Sequence, residues 1–133
     1  MAQNDKLSVT MRQTQLGRAK GLGAARAGVH HWWAERVTSV ALIPLTLWFV
    51  FSVLSLAGHP QLAIAHWISH PLVAVLLIAL ILATFHHTIL GLQVVMDDYI
   101  HEEMPRLIAI LAMKAVLYLM GLAALLAVLK LAI

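Results

Sequence analysis

Three long apolar runs separated by short polar breaks set the plan of the chain. From Val37 to Met96 there is no Asp, Glu, Lys or Arg. A charge-free stretch of that length suits the interior of a bilayer, where about 20 apolar residues make one helical span. Gly58-His59-Pro60 divides it. The pattern therefore predicts an all-α membrane protein with three transmembrane helices, at about 36–57, 72–99 and 105–130. The first would rise about 33 Å, enough for the hydrocarbon core. Pro44 lies inside it and predicts a kink or a close helix contact. Trp32 and Trp33 stand just before it, where interfacial anchors belong. Residues 58–71 read as a connector with Trp67 inside it and Pro71 at its end. The acidic stretch DDYIHEEMPR follows the second span, and Pro105 suits the first turn of a third helix. Two regions result: a polar, basic N-terminal tail over 1–29, and one three-helix membrane domain over 30–133.

Composition agrees with that pattern and narrows the chemistry. The 133 residues are 62% hydrophobic and 11% charged, whereas a soluble domain carries about 25% charged residues. There is no cysteine, so disulfides, thiolate catalysis and a cysteine-ligated iron–sulfur cluster are excluded within these residues. Electron handling would need histidine ligands or an organic cofactor. Charge is uneven: Lys6, Arg12, Arg18, Lys20, Arg26 and Arg36 face only Asp5 and Glu35 over residues 1–36. Nucleic acid could attract such a tail, but beside an apolar span it reads as a positive-inside signal. The 58–71 connector lacks Lys and Arg and fits the opposite side. The N-terminus and the 97–106 loop are then on the cytoplasmic or matrix side, and the C-terminus is outside. A basic, acid-poor tail also leaves a mitochondrial inner membrane open. Lys114, two turns inside the third span, reads either as snorkelling to the interface or as meeting an anionic lipid head group or a cofactor carboxylate.

The chemistry concentrates on the second span, in HTILGLQVVMDDY. At about 100° per residue, positions 87, 91, 94 and 98 fall within about 60° of one another. One helix face thus carries His87, Gly91 and Asp98, with Tyr99 adjacent. Ionisable groups inside lipid are costly and usually functional, although a buried imidazole can simply hydrogen-bond a neighbouring helix. Haem b needs an imidazole in an apolar slot and a flat surface for its ring. Gly91, one turn after His87, leaves that surface clear, whereas His86 has Leu90 at the matching position. No other span has a histidine at this depth, so a second axial ligand would come from another chain or a second copy. Asp98 and Tyr99 lie about 16 Å further along the helix, at the boundary where a quinone head group finds hydrogen bonds and protons. An ordinary interfacial tyrosine beside a solvated acidic loop is the plainer alternative.

HTILGLQVVMDDY resembles the His…Gly…Asp-Tyr signature of the D-type membrane anchor of succinate dehydrogenase, respiratory complex II. GVHHWWAERVTSVALIPL is similar to the start of that family's first helix, and the Met-Lys pair at Lys114 is similar to alphaproteobacterial members. The resemblance covers about residues 21–133. It implies a C-type cytochrome b anchor subunit as partner, with one haem b held between one histidine from each anchor. His87 would be the haem iron axial ligand from this chain, with Arg36 and His30 near the haem propionates. Tyr99 would hydrogen-bond ubiquinone, supported by Asp98. A flavoprotein subunit with FAD and an iron–sulfur subunit would dock on the cytoplasmic side. Electrons from succinate would reach ubiquinone, linking the tricarboxylic acid cycle to electron transport. Two other readings remain at this point: a self-contained haem b electron carrier, and a non-redox membrane scaffold.

Overall fold

The computed structural model describes residues 26–133, in four helices: α1 (Arg26–Leu56), α2 (Gln61–Ile68), α3 (Pro71–Tyr99) and α4 (Glu103–Ala132). Among the described residues there is no strand. The three long helices hold 31, 29 and 30 residues. At 1.5 Å per residue each reaches about 43–47 Å, beyond the roughly 30 Å of a hydrocarbon core. Their apolar windows have mean hydropathies of 2.1, 2.3 and 2.2. The expected all-α, three-span architecture is present.

Two boundaries differ from the sequence expectation. α1 starts at Arg26, well before the predicted 36. An apolar run marks what lies in hydrocarbon, not where helical hydrogen bonding begins. Residues 26–35 contain no proline to stop a helix entering from the interface. The tail predicted over 1–29 falls, up to residue 25, outside the described residues. The second difference is α2, which occupies a stretch read as plain connector. Gly58 ends α1 in the left-handed region at φ 83°, a conformation glycine takes without steric cost. Pro60 then stands extended at the head of α2. Trp67 of α2 stacks on Trp48 of α1, with ring centroids 5.9 Å apart and planes at 24°. That aromatic pair folds the short helix back on the bundle.

α3 is the central helix, packed along α1 on one side and α4 on the other. Its N-terminus has proline at the first helical position, where the missing N–H costs nothing. Pro105 likewise sits in the first turn of α4, beside Glu103, which favours that end of the helix dipole. Pro44 lies within α1 without ending it, although it leaves the Val40 carbonyl without a helical donor. The α3–α4 register is fixed at mid-helix and near the acidic loop. Phe85 covers the buried Gly121, whose Cβ position would lie 3.3 Å from the Phe85 Cγ. Near the acidic loop, Arg106 Nε approaches Asp97 Oδ1 at 3.7 Å.

Buried side chains are few. Ala74, Leu77, Ile89 and Leu90 form the core, all on α3. The most apolar window of α1 has no buried residue at all. The outer faces of α1 and α4 are therefore dressed for lipid or for another chain rather than for an internal core.

Candidate functional site

The functional column stands on α3, which runs without a proline from its second residue to Tyr99. That continuity keeps His87 and Asp98 on one face, about 16 Å apart along the axis. The C-terminal end is closed by the Ile100 N–H, which donates to the Met96 carbonyl at 3.0 Å. Tyr99 is thus the last helical residue, held at the edge of the loop.

His87 is half-buried at the seam between α1 and α3. Its Nδ1 lies 3.0 Å from Thr38 Oγ1 on α1. His86 faces elsewhere. It lines a cleft of about 170 Å³ between α3 and α4, with Phe85, Tyr118 and Gly121. The doubled histidine therefore serves two different helix seams. This geometry separates two residues that spacing alone left open. Thr38 was not picked out from the sequence, because its partner is 49 residues away. The available signal was only that it is one of several hydroxyls, with Ser39, Thr46, Ser52 and Ser55, in a charge-free span.

Gly91 sits one turn beyond His87, and a Cβ placed there would meet nothing within 4 Å. Open space beside an imidazole is what a flat macrocycle requires. Among the described residues no three His, Asp or Glu side chains gather as a bare metal ion would need. Haem asks less of the protein, because the porphyrin supplies four donors and the chain only an axial one. His87 and Gly91 would fit half of such a slot, and a second ligand would have to come from outside the described residues.

At the loop end, Asp98 is exposed and Tyr99 is 81% exposed. Neither side chain has a hydrogen-bond or ion-pair partner among the described residues. The neighbouring Asp97 instead pairs with Arg106, both partly exposed. The two adjacent aspartates thus divide: Asp97 is engaged within the fold and Asp98 is left on the column face. Arg36 is exposed, and its guanidinium lies 5.3 Å from the Trp32 ring centroid. By helical spacing it sits about 160° around α1 from Thr38. His30 is exposed two turns before Thr38. This chain alone does not bring Arg36 or His30 against His87. Lys114 is half-buried, with no carboxylate within ion-pair distance among the described residues. A larger, apolar cavity of about 660 Å³ lies at the opposite end of the bundle, near Trp67, Leu77 and Val128, and takes no part in the column.

The chain is similar to known proteins. Residues 10–121 match the family described as succinate dehydrogenase/fumarate reductase transmembrane subunit. The succinate dehydrogenase hydrophobic membrane anchor subunit of Rickettsia bellii is 29% identical over 102 residues, 77% of this chain and 82% of that protein. The protein of the same description from Rickettsia conorii is 30% identical, over 66% of this chain and 71% of its own length. That from Paracoccus denitrificans is 33% identical, over 61% and 63%. No solved structure matches the chain. With the family match spanning most of its length and three helices long and apolar enough to cross a membrane, the chain belongs to the succinate dehydrogenase/fumarate reductase transmembrane subunits.

Proposed function

We propose that this membrane anchor subunit of succinate dehydrogenase binds haem b through His87 and forms part of the ubiquinone-reduction site through Tyr99 and Asp98. The observation that carries the reading is the single face of α3, with an imidazole beside open space at one level and, at the end of the helix, the Asp98 carboxylate with the Tyr99 phenol next to it, both without a partner among the described residues. When bound, haem b supplies a one-electron carrier. This chain's residues do the rest. His87 offers a ring nitrogen lone pair to the iron, and Gly91 leaves room for the ring. Arg36 and His30 complement propionate charge once a partner chain completes the slot.

The Tyr99 hydroxyl donates a hydrogen bond to a quinone carbonyl, and Asp98 orients the head group and passes protons from the cytoplasmic side. The exposure of Tyr99 in the isolated chain is what a shared pocket needs, since the pocket walls would come from other subunits. The partners under this reading are a second, C-type cytochrome b anchor, an iron–sulfur subunit and a flavoprotein subunit holding FAD. Succinate oxidation happens in those soluble subunits, not in this chain. The site of action is the bacterial inner membrane, with the N-terminus cytoplasmic. Gentle detergent purification of a tagged chain tests the assembly. Co-purifying flavin, iron–sulfur protein and b-type haem are expected; a chain that emerges with none of them rejects the proposal.

A further inference from the structure

We infer that Thr38 is a positioning residue for His87: it holds the proton on Nδ1 and leaves Nε2 as the bare, iron-facing nitrogen. The inference rests on the haem reading above and adds to it a residue on a different helix. Thr38 Oγ1 lies 2.8 Å from the Ala34 carbonyl, 3.0 Å from the Glu35 carbonyl and 3.0 Å from His87 Nδ1. A hydroxyl has one proton to donate and two lone pairs to accept with. Both carbonyls can only accept. If the hydroxyl donated to His87, two oxygen–oxygen contacts of 2.8 and 3.0 Å would be left without a proton between them. Ser39 already donates to the Glu35 carbonyl at 2.8 Å. The Thr38 proton therefore goes to Ala34, the usual bond of a helical threonine to its preceding turn. An Oγ1 lone pair then faces Nδ1 at 3.0 Å, which makes His87 the donor.

That assignment has a chemical consequence. A free imidazole side chain favours the proton on Nε2. A fixed acceptor at Nδ1 reverses this preference and directs the lone pair of Nε2 away from α1. Ligating histidines are commonly set this way: a hydrogen bond at the far nitrogen fixes tautomer and ring orientation and makes the ligand more basic. Threonine suits the task because its branched side chain has few rotamers in a helix. Among the described residues, this is the one hydrogen bond between two side chains. It joins α1 to α3 at the depth of the proposed iron. A more basic ligand favours ferric iron, so the Thr38 contact should hold the haem potential down.

The test compares assembled complexes carrying Thr38→Val, which keeps the shape and removes the hydroxyl, and Thr38→Ser, which keeps the hydroxyl. Flavin retained with the tagged chain reports assembly. Haem per flavin, midpoint potential and the electron paramagnetic resonance spectrum of the ferric haem are the readouts. The valine variant should show a raised potential, a shifted spectrum and about tenfold weaker haem retention, with serine restoring all three toward the parent. Should the valine variant not assemble, Thr38→Ala carries the same expectation. A hydroxyl-free variant with parental haem properties overturns the inference, as do valine and serine variants that are perturbed equally. Failure of the underlying reading looks different: the parent complex lacks haem, or His87→Leu leaves the spectrum unchanged. Either result removes this inference too.

Discussion

Gly91→Leu should remove haem without harming the fold of this chain, and Gly121→Leu should do the reverse. The structure sets the two glycines apart. At Gly91 an added Cβ meets nothing within 4 Å, while at Gly121 it lies 3.3, 3.5 and 3.6 Å from three atoms of the Phe85 ring. Both changes gain up to about 1 kcal/mol of helix propensity. At Gly91 the added Cβ meets nothing among the described residues that opposes that gain. At Gly121 the buried α3–α4 seam is overpacked, at a cost of about 1–3 kcal/mol, which exceeds the gain. A porphyrin lying against α3 beside His87 would instead collide with the whole leucine side chain at 91. The assay is haem per flavin in the purified complex, with thermal inactivation alongside. Gly91→Leu should assemble with little or no haem. Gly121→Leu should hold its haem per assembled complex and unfold at lower temperature. Parental haem content and spectrum in Gly91→Leu would show that no ring lies on that glycine.

Exchange at the doubled histidine is expected to be asymmetric: His87→Leu loses or alters the b-type absorbance and His86→Leu keeps it, because the two rings occupy different seams; the visible spectrum decides. Tyr99→Phe removes a hydroxyl that has no partner among the described residues, so stability should move by less than about 0.5 kcal/mol. Loss of one neutral hydrogen bond, about 0.5–1.5 kcal/mol, should slow quinone reduction by roughly two- to tenfold while succinate oxidation with an artificial acceptor is spared. Equal rates with quinone would remove Tyr99 from the site. Arg106→Gln breaks the contact to Asp97, whose side chain is 47% exposed against 35% for Arg106. The solvent-screened pair should be worth under about 1 kcal/mol, so a melting shift larger than a few degrees would point to a wider role for that loop.

Sequence patterning located α3 almost to the residue, because Pro71 and the acidic stretch after Met96 bracket its apolar run. It placed the column on one face because helical geometry leaves little freedom over eleven residues. It misplaced the start of α1, since hydropathy reports the solvent and not the hydrogen bonding. It missed α2, whose eight residues are too short for a periodic signal and are held by a tryptophan pair from distant segments. Thr38 and the Asp97–Arg106 pair were invisible for the same reason: both depend on which helix faces lie together. The separation of His86 from His87 also needed three dimensions, although Gly91 had already favoured one of them.

The small core of this chain has a consequence for the cell. Among the described residues, buried ones are confined to a few on α3 and to Gly121 on α4, so much of the free energy that fixes one arrangement of the helices should come from lipid and neighbouring chains. A copy made in excess of its neighbours would leave an imidazole and an open glycine facing hydrocarbon, a poor resting state for a membrane protein. Subunit supply would then be balanced by clearance: orphan copies should turn over faster than assembled ones. A pulse-chase half-life that is the same with and without the partner subunits would contradict that expectation.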